Sequence, residues 1–387
     1  MAYAEKKTLK GNRTVYYAVY VGPDGRRRTA GAFPTKRDAE KAADAQEKAV
    51  EGGHWVDPTE SKMTFQTYID EHYWPTTMHL EVSTRAAYRT YVDKHFLPTF
   101  GQVRMRQISP SAVQAWVNQA SGGSLSARSV VKYHAVLHRI FARAVIDRVV
   151  PVNPCSHTEL PKVVLQPKRI ITVAQFDAIL ANIPDRYQMM VLLAIETGVR
   201  WGELVALRPC DIDFKTGVVT VRRTIVEVSR KASPTGERCF VKDYPKDDEQ
   251  RHLQIERSTC KQLKAHMKEY AIGGSDLLFT STAGTALSRN NFRTKYWGPA
   301  VEKAKLEHAV TFHNLRAAHA SWLLAGGADI IVVQERLGHR HITTTQQYTG
   351  TLPDAGERAL AALRKTRQRG RAAESRHDRP AEASQGQ

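Results

Sequence analysis

From residue 63 to about residue 150 apolar side chains recur at three- and four-residue intervals with almost no strand character, the period of helices that each bury one face. The preceding fifty residues have a different pattern. Arg13–Val21 is rich in β-branched and aromatic residues, Gly22-Pro23-Asp24-Gly25 is a turn signal, and residues 26–33 form a second run, so a hairpin is predicted. Thr35, with Asp38 three residues on, resembles an N-cap and predicts a helix through about Val50. Glu51-Gly52-Gly53 then forms a flexible joint. Within the helical region the longest amphipathic stretch, residues 126–149, interleaves Arg128, Lys132, His134, His138, Arg139, Arg143 and Arg148 with apolar positions.

Pro151, Pro154, Pro161 and Pro167 make residues 150–167 an extended linker. Beyond it, Thr172 predicts an N-cap for a helix over residues 173–183. Helices then surround one strand region: a turn at residues 213–217, a run at Val218–Val221, and returns at residues 239–241 and 252–255. Past Lys365 the chain is rich in Arg, Ala, Gly, Ser and Gln, the composition of a disordered tail. The expected fold is multidomain and mainly α with small β-sheets. Its divisions fall at residues 1–52, 62–150, a linker at 151–168, 169–352, and a C-terminal helix with a basic tail at 353–387.

Charge narrows the class of partner. Lys and Arg number 57 against 39 Asp and Glu, a formal charge of +18 with an isoelectric point near 9.8. Such a surface collects phosphates by releasing counterions, and nucleic acid is the expected partner. The stripe at residues 126–149 reads equally as a solvated helix face and as a track along DNA phosphates. Cys155, Cys210, Cys239 and Cys260 are far apart, without the spacing of a zinc site or a disulfide framework, which fits a reducing cytoplasm. No run is apolar enough to span a bilayer, and residues 1–10 are too polar for a signal peptide. No Walker loop, His-Glu-x-x-His or Gly-x-Gly-x-x-Gly occurs, so neither a nucleotide nor a catalytic metal is expected as cofactor.

The candidate chemistry lies in the second half. His313 and Arg316 sit in Thr311-Phe312-His313-Asn314-Leu315-Arg316, where Thr311 can cap a helix and the i,i+3 spacing places both side chains on one face. Arg200 follows Thr197-Gly198-Val199, a helix end marked by glycine, and opens a second helical stretch over residues 201–207. A guanidinium offers a planar fork for two phosphate oxygens, so two arginines with imidazoles form a clamp for a pentacovalent phosphate. Tyr348 supplies an oxygen nucleophile; Gly338 ends one helix before it, and Thr343-Thr344-Thr345 opens the next.

The boxes Thr197-Gly198-Val199-Arg200-Trp201-Gly202-Glu203-Leu204, His313-Asn314-Leu315-Arg316, Leu337-Gly338-His339 and Thr344-Thr345-Gln346-Gln347-Tyr348 resemble, in order and spacing, those of the tyrosine recombinases in their phage-integrase branch. The resemblance covers roughly residues 60 to 352. It implies an arm-type DNA-binding unit in front, with Arg26, Arg27 and Arg28 on its strands, a helical core-binding (SAM-like) domain using Arg128, Lys132 and Arg139, and a mixed α+β catalytic domain. The implied activity is site-specific cutting and rejoining of DNA through a 3′-phosphotyrosyl intermediate, for integration and excision of a mobile element. Tyr348 would attack, Arg200 and Arg316 would hold the non-bridging oxygens, and His313 and His339 would move a proton or donate to the phosphate. Glu203, three residues after Arg200 on the same helical face, would orient that arginine. A lysine in the strand region would protonate the leaving 5′-oxygen, with Lys246 the candidate and Lys242 the reserve. Acidic residues follow Lys246 where the family commonly has Thr and Ser, and Ala317-Ala318 replaces the family's usual His-Thr. The implied partners are double-stranded attachment-site DNA, a homotetramer on that DNA, an excisionase and a host DNA-bending protein, in a bacterial cytoplasm at the nucleoid and with no membrane. Two rival readings stay open. One is a metal-dependent nuclease built on Asp211 and Asp213, or on Asp243, Asp247 and Asp248; the other is a non-catalytic DNA-binding protein of the same fold.

Overall fold

The computed structural model describes residues 2–9, 12–53, 55, 62–164, 169–243, 250–348, 360 and 364. The chain divides into two compact units, Met1–Leu165 with Val228–Pro234, and Gln166–Glu227 with Thr235–Gln387. The first unit opens with a three-stranded antiparallel sheet, not a hairpin: Tyr3–Leu9 pairs with Arg13–Val21, which pairs with Arg27–Phe33. The first strand is mostly exposed and carries Glu5, Lys6 and Lys7, so no apolar alternation marks it. Thr35 caps the helix Lys36–Glu51, its hydroxyl accepting the Asp38 N–H at 3.1 Å. The helix lies on the sheet through Ala39 and Ala43, which meet Ala18 in a small alanine-rich core. Trp55 belongs to this body too, since its indole N–H donates to the Tyr20 hydroxyl at 3.0 Å and Arg28 lies 4.7 Å over its ring.

The rest of the first unit is helical. Phe65–Thr67 continues through a wide-turned segment, Tyr68–Tyr73, and the helices Val82–Tyr91, Pro110–Gly122 and Ala127–Ile146 follow. Phe65, Phe96, Phe100, Trp116, Leu137 and Phe141 interlock in one core. Ala127–Ile146 starts at Ser126, whose hydroxyl accepts the Ser129 N–H, and buries a stripe from Val130 to Ala144. His134, read from sequence as part of the basic face, is instead 6% exposed within that stripe. Its period matches the apolar positions, and burial pushes its pKa down. Val150 and Cys155 pack into the same core, so the front of the proline-bearing segment is part of this body.

In the second unit the helix Asp185–Thr197 buries Tyr187, Met190, Val191, Leu193 and Ala194 and forms the centre of the largest core. Val173–Leu180 precedes it with a full capping box between Thr172 and Gln175. The strands form two sheets where the sequence predicts one region. Ile212–Asp213, Val218–Val221 and Arg251–Gln254 make one, and Arg223–Glu227 with Cys239–Asp243 makes the other. The unpredicted strand Arg223–Glu227 pairs with Cys239–Asp243, which therefore stays out of the first sheet. The helices Arg257–Glu269, Asn314–Ala325, Ile330–Leu337 and Ile342–Gln346 complete the unit. Among the described residues no helix is long and apolar enough to cross a membrane. The C-terminal segment 353–387 lies outside the described residues apart from Leu360 and Arg364.

Candidate active site

Gly198 ends the helix Asp185–Thr197 in the left-handed region, at φ 64°. The reversal exposes the last carbonyls of that helix and turns the chain so that Arg200 stands just ahead of the short helix Trp201–Leu204. The predicted stretch to residue 207 is shorter than expected, because after Leu204 the chain closes in turns. Glu203 reaches back and accepts the Arg200 main-chain N–H at 2.8 Å, while its other oxygen takes the Arg200 guanidinium at 3.0 Å. Arg251, opening the strand Arg251–Gln254, grips the same carboxylate with both terminal nitrogens, at 3.2 and 2.5 Å. Burial pushes the Glu203 pKa up, but the hydrogen bonds and charge of Arg251 and Arg200 outweigh it and hold the carboxyl below the usual range. Glu203 is therefore an ionised, buried anchor for two guanidiniums.

Arg316 is buried on Asn314–Ala325 at 3% exposure and donates to Gly198 O at 2.7 Å and to Leu337 O at 2.5 Å. Arg200 donates to Gly338 O at 3.1 Å. The two arginines thus converge on the glycine turn that ends Ile330–Leu337, where Gly338 sits at φ 62°. Burial, reinforced by the charge of Arg200, pulls the Arg316 pKa down to about 10, which still leaves it cationic at neutral pH. His339 follows the turn and shares a hydrogen bond with Thr345 Oγ at 2.9 Å. Its ring stacks on Tyr348 with centroids 6.3 Å apart. Tyr348 lies just past Ile342–Gln346, 2% exposed, packed with Ala317, Ala320, Val333 and Leu337.

Arg200, Glu203, Arg316, His339 and Tyr348 are therefore brought together by four helix ends. His313 stands differently. Thr311 does not cap the helix; its N–H and hydroxyl bond to Asn314 Oδ1, and His313 itself takes the N-cap position. His313 is exposed while Arg316 is buried, and His313 keeps helical backbone angles, φ −65° and ψ −20°. Thr343, Thr344 and Thr345 lie in the short helix Ile342–Gln346 that leads to Tyr348, as expected, with His341 at its N-cap. Lys246 lies outside the described residues, whereas Lys242 is half-buried in Cys239–Asp243 opposite Thr224.

Of the acidic residues of the nuclease reading, Asp247 and Asp248 lie outside the described residues, Asp243 pairs with Arg223, and Asp211 and Asp213 have other tasks. Asp211 is 2% exposed and is bound by Arg222 and Arg223, and Asp213 accepts from Lys215 and Thr216 within a turn. Among the described residues no group of three or more His, Cys, Asp or Glu is placed to hold a metal ion. In the first unit Arg26 and Arg27 are exposed, Arg28 is occupied by Asp24 and the Trp55 ring, and Arg128, Lys132 and Arg139 are exposed on Ala127–Ile146. Lys132 lies over Tyr91 and Arg139 reaches the Tyr88 hydroxyl.

Arg251, His319 and Arg336 escaped the sequence reading. His319 accepts no charge: its Nδ1 meets Ile195 O at 2.8 Å, and burial followed by the nearby Arg336 pushes its pKa down to about 4. Arg336 donates to Glu196 O and to Gln254 O, each at 3.1 Å. Arg251 opens a strand and His319 and Arg336 lie on two different helices, so only their long-range partners reveal a task. The unfolded chain, with histidine near 6.5, binds more protons than the fold between pH 6.5 and about 4. Stability therefore falls as the pH falls through that window, by on the order of 3 kcal/mol from this residue. Thermal melts of wild type and His319→Gln across that range should show a shallower acid loss in the variant; parallel profiles would refute the assignment.

Comparison with known proteins identifies the family. Residues 169–353 match the model of the phage integrase family, and residues 64–121 match that of the phage integrase N-terminal SAM-like domain. The chain is 26% identical to the integrase of Mycobacterium phage L5 over 377 residues, covering 93% of this chain and 97% of that one. It is 30% identical to tyrosine recombinase XerD of Rickettsia prowazekii over 252 residues, covering 62% of this chain and 78% of the relative. Its fold is similar to that in the crystal structure of a lambda integrase tetramer bound to a Holliday junction, with a TM-score of 0.56 at 19% identity, covering 86% of this chain and 92% of that one. The chain belongs to the phage integrase family and is a tyrosine-type site-specific recombinase.

Proposed function

We propose that this recombinase integrates and excises a mobile element, with Tyr348 as nucleophile and Arg200 and Arg316 as the phosphate clamp. The observation that carries the reading is the convergence of both guanidiniums on the Leu337-Gly338 turn, whose next residue stacks on Tyr348. The Tyr348 oxygen attacks phosphorus, the bond to the 5′-oxygen breaks, and that oxygen leaves with a proton. Lys246 is assigned the proton, with Lys242 in reserve. One phosphodiester is exchanged for an ester of similar energy, so the 5′-hydroxyl of a partner strand reverses the step without a cofactor. Arg200 and Arg316 stabilise the charge that grows on the non-bridging oxygens, and His313 and His339 assist at the tyrosine proton or the phosphate. Because Tyr348 is buried, the turn that carries it must move for attack. The partners this reading requires are double-stranded attachment-site DNA and a homotetramer assembled on it, with an excisionase and a host DNA-bending protein setting direction. The place of action is the nucleoid of a bacterial cytoplasm.

The test is trapping. Incubated in chelator with nicked duplex carrying its own core site, the protein should become covalently joined to a 3′-end. Cleavage that requires magnesium and leaves no protein on the DNA would favour the nuclease, and tight binding without cleavage the non-catalytic reading.

A second expectation concerns the N-terminal body. With Arg26 and Arg27 exposed at the start of its edge strand, it is assigned to arm-site DNA, and the joint read from the sequence at Glu51-Gly52-Gly53 would give the second site a high effective concentration. Deletion of residues 1–55, which takes Trp55 with its partners, should spare core-site cleavage and reduce the salt dependence of binding to long attachment DNA. Identical salt slopes and undiminished recombination would leave the sheet a structural role only.

A further inference from the structure

Arg251 is the most deeply engaged arginine at the site that the reaction as written does not use. Its side chain is 11% exposed, and it holds both oxygens of Glu203, whose own side chain is fully buried. The same carboxylate carries Arg200, whose side chain is 46% exposed. Arg251 also fills the space beneath the glycine turn, where a Cβ on Gly338 would come within 2.6 Å of its Nη1 and 2.7 Å of its Cδ. Gly338 is thus caught from two directions, its carbonyl by Arg200 and its Cα by Arg251. Arg251 is fixed in turn by its strand, where it pairs with Val221.

We infer that Arg251 is a positioning residue for strand cleavage, acting through Glu203 and Gly338 on Arg200. A carboxylate shared by two guanidiniums draws less strongly on each than a carboxylate bound to one. With Arg251 in place, Glu203 orients Arg200 through one edge and leaves net positive charge facing outward. Without it, Glu203 and Arg200 become a closed, neutral pair, the Arg200 fork turns inward, and the floor under the Leu337-Gly338 turn is lost. Arg251 makes no contact with the reacting atoms in this assignment; its effect is on where Arg200 stands and how much charge it presents. The strand it opens also follows directly on the segment that carries Lys246.

The inference rests on the cleavage reading above, and the wild-type arm of the experiment reports on that reading separately. Single-turnover cleavage of nicked core-site duplex and equilibrium binding to the same DNA are measured for wild type, Arg251→Gln, Arg251→Lys, Arg200→Lys and the double variant Arg200→Lys with Arg251→Gln. Arg251→Gln is expected to cleave about tenfold to a hundredfold more slowly with core-site affinity unchanged. Arg251→Lys, which keeps the charge and loses the fork, should recover part of that rate and covers the case in which the glutamine variant does not fold. The decisive readout is the cycle. If Arg251 acts through Arg200, removing it from the Arg200→Lys background should cost little further rate. Losses that multiply, a loss confined to DNA binding, or wild-type cleavage in both Arg251 variants would each overturn the proposal.

Discussion

Tyr348→Phe should bind core-site DNA as wild type does and form no covalent adduct. The ring packs against Val333, Leu337, Ala317 and Ala320, and phenylalanine keeps those contacts. The substitution removes the hydroxyl, a change worth about 1 kcal/mol in stability and the whole of the nucleophile. Gel-shift titration and denaturing-gel trapping on one preparation separate the two effects. A covalent adduct at wild-type yield in this variant would move the nucleophile to another residue.

The second large effect is expected at the clamp. Lysine at position 316 keeps a positive charge but cannot bridge Gly198 O and Leu337 O while also meeting a phosphate, so cleavage should fall by roughly a hundredfold or more. Because Arg316 is 3% exposed, the variant should also lose stability, by about 1–3 kcal/mol for each buried acceptor left unpaired. Arg200→Lys separates catalysis from folding: its side chain is nearly half exposed, so the rate should drop with a smaller change in melting temperature. Near-wild-type single-turnover rates in both variants would mean that neither guanidinium touches the scissile phosphate.

Local signals carried most of the site. Glycine at a helix end demands little context, and both Gly198 and Gly338 adopt the left-handed geometry expected of such ends. The i,i+3 distance from Arg200 to Glu203 is likewise a local quantity, and the ion pair forms. What was not legible depends on partners far along the chain. Arg251 meets Glu203 from 48 residues away, and Arg316 meets Gly198 from 118. No periodicity encodes such pairings. His313 illustrates a different limit: the sequence offers Thr311 as the cap, whereas His313 takes that position with helical backbone angles. The polar strand Tyr3–Leu9 escaped because an edge strand with one weakly buried face lacks alternation.

Two helices end at the clamp, Asp185–Thr197 and Ile330–Leu337, and their terminal carbonyls receive the cations: Gly198 O and Leu337 O from Arg316, Gly338 O from Arg200, Glu196 O from Arg336. Each helix C-terminus carries a partial negative charge of about half an electron from its aligned peptide dipoles. The repulsion between neighbouring guanidiniums is thereby offset by fixed main-chain dipoles that dissolved salt cannot displace. Ionic strength then acts on two steps unequally. It should weaken the encounter with DNA, where counterions compete for phosphate, and leave the placement of Arg200 and Arg316 nearly untouched.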